Sequence, residues 1–406
     1  MKNDAYKYTC IFGGGAIRGV AYVGALKALD ELGVEIQTLA GSSVGSIIAS
    51  LLAVGYTTDE IYEIIIGVNF DLFRDIHFGF GKTFALSKGE VFLEWLREVI
   101  EKKFYGENYK KGENPSVKFK DLDKDLVIIT TDLTNFKCKE FSKQETPDFE
   151  VATAVRISSS MPGLMSPIRY EDLELVDGDL QKSWPLWKLS ENLYPKNERV
   201  LEFRLEGDYD RNGKNAIDFI NTVYSCVTSI ATKSVVEEYG HKDSFDYVTI
   251  NTGDIVIVDF NLSKNKREEL IYAGYKQTLE YFKQELPIKK EKLSTDYKNI
   301  YLLIKNLTHE LGVGNIQKAK NFLGEIYMEL CEVKDNIDKK YYKKLQSAKF
   351  RFMNELKPSL ILKRYNKDSV KSVREDFKQI EDAIKNRIDE LEKLSKELKK
   401  TVWLFI

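Results

Sequence analysis

The chain is short of the residues that several common classes of protein require. Its 406 residues include only three histidines and four cysteines, Cys10, Cys138, Cys226 and Cys331. The cysteines are scattered without the close spacing of a metal site, so we expect reduced thiols, no bound metal and no other cofactor. The net charge of −2 offers no general basic surface, so we expect no nucleic-acid partner.

The sequence also lacks long hydrophobic runs. Residues 1–7 are too polar for a signal peptide, and no apolar run reaches the length of a membrane span; the best one lies near residues 47–54. We therefore expect a cytoplasmic protein that associates with membranes only peripherally. Export by a route without a cleaved signal peptide stays open.

The most informative feature that is present is a Gly-x-Ser-x-Gly pattern formed by Gly41, Ser43 and Gly45. A strand pattern over residues 34–39 precedes it, and an apolar helix pattern over residues 44–54 follows. In such a nucleophile elbow, the sharp turn lifts the serine hydroxyl clear of the backbone, in front of a helix N-terminus. The pattern therefore predicts Ser43 as a nucleophile.

A glycine-rich segment follows the first predicted strand, residues 7–12. It runs Gly-Gly-Gly-Ala-Ile-Arg-Gly over residues 13–19 and leads into a predicted helix over residues 20–32. The free amides of such a bend can bind a nucleotide phosphate or the oxyanion of an ester intermediate. The spacing of the glycines matches neither the dinucleotide-binding nor the P-loop pattern. The serine elbow that follows shortly afterwards favours the oxyanion hole.

A third motif centres on Asp177. Two apolar residues lead to it, and Gly178 and Asp179 follow, although Asp-Gly alone is also typical of a solvated turn. We interpret Asp179 as a turn residue and not as the base. The segment 154–168, rich in small residues and proline, predicts an ordered, tightly packed loop. Cleavage of an ester by serine needs a proton acceptor within reach and amide donors for the oxyanion.

Taken in order, these motifs resemble those of the patatin-like phospholipases. The resemblance rests on the glycine loop, on Gly-Ser-Ser-Val-Gly at 41–45, on Ser-Ser-Ser-Met-Pro at 158–162 and on Asp-Gly at 177–178, and it covers about residues 5–285. It implies an α/β fold of three layers, with a central, mostly parallel sheet covered by helices. It also implies a lipid acyl hydrolase with a serine–aspartate dyad, in which Ser43 is the nucleophile and Asp177 the base.

The same resemblance assigns the oxyanion hole to the glycine loop, and two positions depart from the family pattern. If Arg18 and Gly19 set the register of the alignment with the family pattern, Ala16 stands where a glycine is usual. This departure leaves open which backbone amides of the loop face the oxyanion. Asp179 stands where glycine or alanine is usual, and a second carboxylate can shift the protonation of Asp177. The residues that the resemblance assigns to the oxyanion hole are Gly13, Gly14, Gly15, Ala16, Arg18 and Gly19.

A serine–histidine–aspartate triad is the alternative arrangement. Ser43, Asp177 and His241 follow the chain order of the α/β-hydrolases, whereas His77 and His309 lie in segments that look peripheral. However, Ser43 comes very early in the chain for that fold, and His241 lies in a charged stretch that predicts a surface loop. The dyad is therefore the preferred hypothesis.

The composition of the chain divides it into two parts. We predict a hydrolase domain over residues 1–287 and a helical domain over residues 288–406, in which apolar residues recur at helical spacing from Val373 to Leu398. A helical bundle is the preferred interpretation, and a coiled coil or a partner-binding helix is the alternative. Lysine-rich runs are able to meet anionic lipid headgroups, but acidic residues are interspersed with them, so solvated faces are the preferred interpretation. The apolar end at residues 403–406 favours a groove or a membrane interface.

The predicted reaction is Ca²⁺-independent hydrolysis of carboxylic esters in phospholipids or other acyl lipids, through an acyl-Ser43 intermediate. An acyltransferase that uses the same dyad and a catalytically silent regulatory protein are the alternatives. We expect the C-terminal helices to govern membrane engagement, a protein partner or self-association, and not to take part in the chemistry.

Overall fold

The computed structural model describes residues 7–73, 85–180, 199–207, 216–239, 245–256, 259–333, 336–357 and 365–402. These residues form two compact units, of which the first extends to Leu279 and the second begins at Glu280. The domain boundary after residue 287 stays a prediction of the sequence. His77, His241 and residues 403–406, on which parts of the sequence analysis rest, lie outside the described residues.

A mixed sheet forms the centre of the first unit. Its strands run in the order β10-β9-β1-β2-β4-β8-β7, and β5 also pairs with β4. The pairs from β10 to β4 are parallel, and those that β4 makes with β5 and β8 and that β8 makes with β7 are antiparallel. The strands of the described chain are β1 (Lys7–Phe12), β2 (Glu35–Gly41), β3 (Ala85–Ser87), β4 (Asp125–Asp132), β5 (Lys137–Ser142), β6 (Gly163–Met165), β7 (Ile168–Tyr170), β8 (Leu173–Asp177), β9 (Arg199–Glu206) and β10 (Phe245–Asn251), of which β3 and β6 pair with each other in a separate small sheet. The predicted central, mostly parallel sheet is confirmed.

The central strands are covered on both faces. In β4 every residue from Leu126 to Asp132 is buried, as expected for a β-branched strand between two layers of helices. Helix α2 contacts β1, β2 and β4, and α5 contacts β4 and β8. The helices of this unit are α1 (Ala21–Glu31), α2 (Val44–Ala53), α3 (Thr58–Gly67), α4 (Glu90–Tyr105), α5 (Val151–Ser158), α6 (Ala216–Tyr239) and α7 (Lys264–Glu280).

One segment differs from its prediction. Residues 154–158 belong to α5 and not to a loop, because the helix begins at Val151, upstream of the segment that is rich in small residues. Arg156 is buried within this helix, yet its guanidinium group is satisfied. It donates to the carbonyl oxygen of Gly89 at 3.1 Å, to that of Ser166 at 3.1 Å and to the hydroxyl of Ser160 at 2.5 Å. Arg156 thereby fixes the turn that follows the helix.

The second unit is helical, as predicted. A short π-helix, Tyr281–Glu285, is followed by α8 (Leu286–Gly312), α9 (Ile316–Val333), α10 (Lys339–Glu355) and α11 (Lys367–Val402). The apolar stripe lies on α11, where Val373, Phe377 and Ile384 are fully buried against residues of α8 and α10 in one core. Each such side chain contributes roughly 1.5–3 kcal/mol through burial. Among the described residues, no helix has both the length and the apolar character needed to cross a membrane.

Candidate active site

Ser43 lies on a strained turn between β2 and α2. Its backbone has φ 49° and ψ −129°, a conformation that L-residues rarely adopt, and its side chain is buried. The chain passes so close to β1 that a β-carbon on Gly45 would lie 2.0 Å from the carbonyl oxygen of Phe12. This strand–serine–helix turn has the form of a nucleophile elbow.

Ser158 ties the elbow to the sheet. The backbone amide of Ser43 donates to the Ser158 hydroxyl at 3.0 Å, and that hydroxyl donates to the carbonyl oxygen of Ile129 at 2.5 Å. Ser158 entered the sequence analysis only as part of a family motif. Its contact with Ser43 spans 115 residues of chain, so no local pattern could have revealed it.

Asp177 ends β8 and lies next to Ser43. Its Oδ1 atom accepts the amide of Asp179 at 2.9 Å and the phenol of Tyr224 at 3.0 Å. Its Oδ2 atom is buried and has no hydrogen-bond partner among the described residues. The Ser43 hydroxyl is close enough to lower the pKa of this carboxyl group, although the two make no hydrogen bond of standard geometry. The structure thus brings together the two residues that the sequence analysis paired.

The protonation of Asp177 is set by its surroundings. Burial in a medium of low polarity is the largest effect, and the charge of Asp179 adds to it, so that the pKa of Asp177 rises to about 7. The hydrogen bonds from the Asp179 amide and the Tyr224 phenol, together with the nearby Ser43 hydroxyl, act in the opposite direction and lower the pKa. A carboxyl group with a pKa near neutrality can both accept and return a proton at physiological pH.

Tyr224, on α6, is a part of the site that the sequence analysis missed. It is buried, and its pKa is raised well above the usual value, first by burial and then by the charges of Asp177 and Asp179. The phenol therefore stays protonated and acts as a hydrogen-bond donor to Asp177. A tyrosine in an apolar helix carries no local signal of such a contact.

The glycine loop narrows the choice of oxyanion donors. Gly13 was assigned to the oxyanion hole, but its amide donates to the carbonyl oxygen of Phe203 at 3.0 Å, so the sheet uses it. The amides of Gly14 and Gly15 donate to none of the described residues. Gly15 has φ 147°, and Ala16 has φ 48°, so the loop is sharply bent where the family pattern is broken.

Asp179 lies in a short 3₁₀ turn, Gly178–Leu180, directly after β8. It is buried and accepts a hydrogen bond from the Ser42 hydroxyl. Its Oδ2 atom lies 2.1 Å from the position that a β-carbon on Gly14 would take. The sequence predicted a turn residue but not its burial, because strand β8 carries this turn into the interior. A second carboxylate therefore lies between the elbow and the glycine loop.

An apolar cavity of about 350 Å³ opens at Ser43. Gly19 and Ala16 line it beside the serine. Phe70 and Phe73 also line it, whereas residues 74–84, which follow them in the chain, lie outside the described residues. The other apolar side chains of the lining include Val44, Ile48, Ile65, Phe92, Trp95, Met161, Leu164 and Phe260. Such a cavity suits a hydrocarbon chain.

Two further residues that the sequence analysis considered, Arg18 and His309, do not line the cavity at Ser43. Arg18 is buried, and its Nε atom donates to the carbonyl oxygen of Ile255 at 2.7 Å, so it supports the loop and lines a separate polar cavity. His309 lies in α8 of the second unit. The triad hypothesis depends on His241, which lies outside the described residues, and it stays untested.

An elbow serine beside a buried aspartate, on an α/β sheet, is the kind of site found in ester hydrolases. Comparison with known proteins identifies the family. The sequence model of the patatin-like phospholipases matches residues 10–187. Protein R571 of Acanthamoeba polyphaga mimivirus is 30% identical over 276 residues, which cover 65% of this chain and 89% of that protein. The chain belongs to the patatin-like phospholipase family, a family of hydrolases.

Two more similarities agree with this assignment. A probable lipid hydrolase, 463L of Invertebrate iridescent virus 6, is 31% identical over 198 residues, or 46% of this chain and 64% of that protein. The crystal structure of VipD from Legionella pneumophila aligns over 97% of this chain and 88% of its own, with a TM-score of 0.51 and 17% identity. The similarity to VipD concerns the fold alone.

Proposed function

We propose that the protein hydrolyses carboxylic ester bonds of phospholipids through an acyl-Ser43 intermediate, without Ca²⁺. The observation that carries this proposal is the position of Ser43, at the wall of an apolar cavity and beside the buried carboxyl group of Asp177. The name of 463L, a probable lipid hydrolase, supports the substrate class.

In the acylation step, the Ser43 oxygen attacks the ester carbonyl carbon. Its proton passes to Oδ2 of Asp177, the carboxylate oxygen that has no other partner among the described residues. The amides of Gly14 and Gly15 are the donors proposed for the oxyanion, since Gly13 donates within the sheet. The bond between the carbonyl carbon and the alcohol oxygen then breaks, and Asp177 returns the proton to the leaving alcohol.

In the deacylation step, water takes the place of the alcohol. Asp177 removes a proton from the water as the water oxygen attacks the acyl carbon. The tetrahedral intermediate collapses, the bond to Ser43 breaks, and the proton returns to the serine oxygen. Fatty acid leaves and the dyad is restored, so no metal ion is needed in this sequence.

The apolar cavity gives the reaction its preference for lipids. Its walls of aliphatic and aromatic side chains would bury the acyl chain, at about 0.8 kcal/mol per methylene group, and place the ester carbonyl at Ser43. We further propose that the protein works at a membrane surface as a peripheral protein. Residues 288–406 are proposed as a separate helical domain that governs membrane engagement, a protein partner or self-association.

Release of fatty acid from phospholipid vesicles, with and without a Ca²⁺ chelator, tests the proposal. The expected result is release that the chelator does not affect and that the substitution Ser43→Ala abolishes. Ser46→Ala is a matched control, because Ser46 lies one turn further along α2 and its hydroxyl donates to the carbonyl oxygen of Ser43. Release that persists in Ser43→Ala would refute the assignment of the nucleophile.

The same assay separates the alternatives. Acyl transfer to an added alcohol, without release of fatty acid in water alone, would identify an acyltransferase. Absence of both reactions, in a protein that folds normally, would identify a catalytically silent member of the family.

A further inference from the structure

A second cavity, of about 300 Å³, is lined by Gly14 and Gly15 of the glycine loop. Charged side chains line it together with hydroxyl-bearing ones, whereas the described residues that line the cavity at Ser43 carry no charge. Tyr224 lines both cavities, and Gly14, the neighbour of Ser43, lines the second one, so the two cavities meet at the candidate dyad. The polar side chains of its lining include Arg18, Arg204, Ser225, Thr228, Ser229 and Lys233.

We propose that this polar cavity binds the phosphate of the lipid headgroup, and that the substrate is therefore a phospholipid or lysophospholipid and not a neutral acylglycerol. This inference rests on the proposed function, because it takes the cleaved ester to lie at Ser43. It assigns a binding role to the face of α6 that follows Tyr224.

The connectivity of a phospholipid matches the order of the two cavities. In such a lipid, the scissile ester lies between the hydrocarbon chain and the phosphate, with the glycerol carbons as the link. Here the apolar cavity, Ser43 and the polar cavity follow in the same order, with Tyr224 at the junction. An acylglycerol has no anionic group to place against the charged lining of the second cavity.

The face of α6 supplies donors at the right spacing. Ser225, Ser229 and Lys233 follow one another at intervals of four residues, which places them in a row along one face of the helix. The Thr228 hydroxyl donates to the carbonyl oxygen of Ser225 at 3.2 Å, so it is engaged within the helix. Two serine hydroxyls and an exposed ammonium group are suitable donors for phosphate oxygens.

The charged side chains that line the cavity are of both signs, which favours an anion of low charge. Arg18, Arg204 and Lys233 line the cavity together with the carboxylates of Asp179 and Glu206. Arg204 is buried and donates from Nε to Glu202 at 2.7 Å, so much of its charge is balanced within β9. Lys233 is exposed and extends from the far end of the row. With Arg204 paired to Glu202, the two remaining cationic side chains of the lining are matched by its two carboxylates, so a phosphodiester with one negative charge suits the cavity better than a doubly charged phosphate.

The test compares two substrates that share one acyl chain, a lysophosphatidylcholine and the corresponding monoacylglycerol, in mixed micelles. The substitution Lys233→Met removes the charge and retains an apolar stem. We expect it to lower the ratio of kcat/KM for the phospholipid to that for the acylglycerol by about fivefold or more, as for loss of a charged hydrogen bond. Lys264→Met, at an exposed lysine of α7, is the matched control and should keep the ratio of the unaltered protein.

A binding measurement separates this inference from the proposed function. Thermal unfolding of the Ser43→Ala protein is followed with glycerophosphocholine, with inorganic phosphate and with glycerol. The expected result is stabilisation by glycerophosphocholine, weaker stabilisation by phosphate, and loss of both when Lys233→Met is added. Stabilisation by phosphate that equals or exceeds that by glycerophosphocholine would indicate a site for free phosphate and overturn the inference.

Other outcomes are equally decisive. An unchanged substrate ratio in Lys233→Met, or a preference of the unaltered protein for the acylglycerol, would overturn the inference while leaving ester hydrolysis intact. If neither ester is cleaved, the proposed function fails, and stabilisation by glycerophosphocholine that depends on Lys233 still supports the headgroup site.

Discussion

Tyr224 donates a hydrogen bond to Oδ1 of Asp177 at 3.0 Å, across 47 residues of chain. Oδ1 also accepts the amide of Asp179, so one oxygen of the carboxyl group is held by two donors. The other oxygen, Oδ2, has no partner among the described residues. Tyr224 is therefore a positioning residue in our account: it orients the proposed base and leaves one oxygen for the proton of Ser43.

Replacement of Tyr224 by phenylalanine removes this donor and retains the ring. We expect kcat to fall about tenfold, which corresponds to ~1.4 kcal/mol, with a smaller change in KM. Because the hydrogen bond lowers the pKa of Asp177, the acidic limb of the pH–rate profile should shift to higher pH. Steady-state kinetics across pH measures both effects.

Tyr8→Phe is the matched control for this substitution. Tyr8 is also buried and donates to a carboxylate, that of Asp246 at 3.0 Å, but it does so between β1 and β10. The control should change stability without moving the pH–rate profile. Equal shifts of the profile in both variants would show that Tyr224 has only a structural role.

The charge of Asp179 should set the pH at which the protein becomes active. The pKa of Asp177 is about 7, raised first by burial and then by Asp179, and the base works only when it is ionised. Activity should therefore rise with pH and level off above neutrality. Asp179→Asn removes the charge beside Asp177 and should move the rise in activity to lower pH. Asp172→Asn is the control, because Asp172 is exposed in the turn between β7 and β8, and it should leave the rise in place. A rise that stays in place in Asp179→Asn would contradict this account.

The raised pKa of Asp177 also predicts a cost in stability. Its usual value is 3.8, so the folded protein favours the protonated carboxyl, and this favourable contribution is lost as pH rises through about 7. Asp177→Asn avoids that loss. We expect its melting temperature to match the unaltered protein near pH 4 and to exceed it by several degrees at pH 8. A difference that shrinks with rising pH would contradict the sign of the shift.

The helical unit owes its stability to the stripe on α11. Phe377 is fully buried in its core, so Phe377→Ala should lower the free energy of unfolding by about 3–5 kcal/mol, measured by urea denaturation. Met353→Ala, at a side chain that is 53% exposed on α10, should change it by less than about 0.5 kcal/mol. Similar losses in both variants would mean that the stripe does not form the core.

The sequence predicted those parts of the site that depend on neighbouring residues. The elbow at Ser43 and the bend of the glycine loop follow from local backbone requirements, and the apolar stripe of α11 follows from helical periodicity. The family resemblance added Asp177, which no local pattern connects with Ser43.

The rest of the site depends on contacts between distant segments. The role of Ser158, the hydrogen bond of Tyr224 and the use of the Gly13 amide by Phe203 arise only when the sheet is assembled. The burial of Asp179 likewise has no local signal, because it depends on the packing of β8 beside the glycine loop and not on the turn itself.

The central claim is that Ser43 is the nucleophile, and covalent labelling tests it most directly. The protein is treated with a fluorophosphonate, and the modified residue is located by mass spectrometry of its peptides. We predict a single phosphonyl group on Ser43, none on the adjacent Ser42, loss of labelling in Ser43→Ala and much slower labelling in Asp177→Asn. A label on any other residue, or lipid hydrolysis that continues after Ser43 is blocked, would contradict the account.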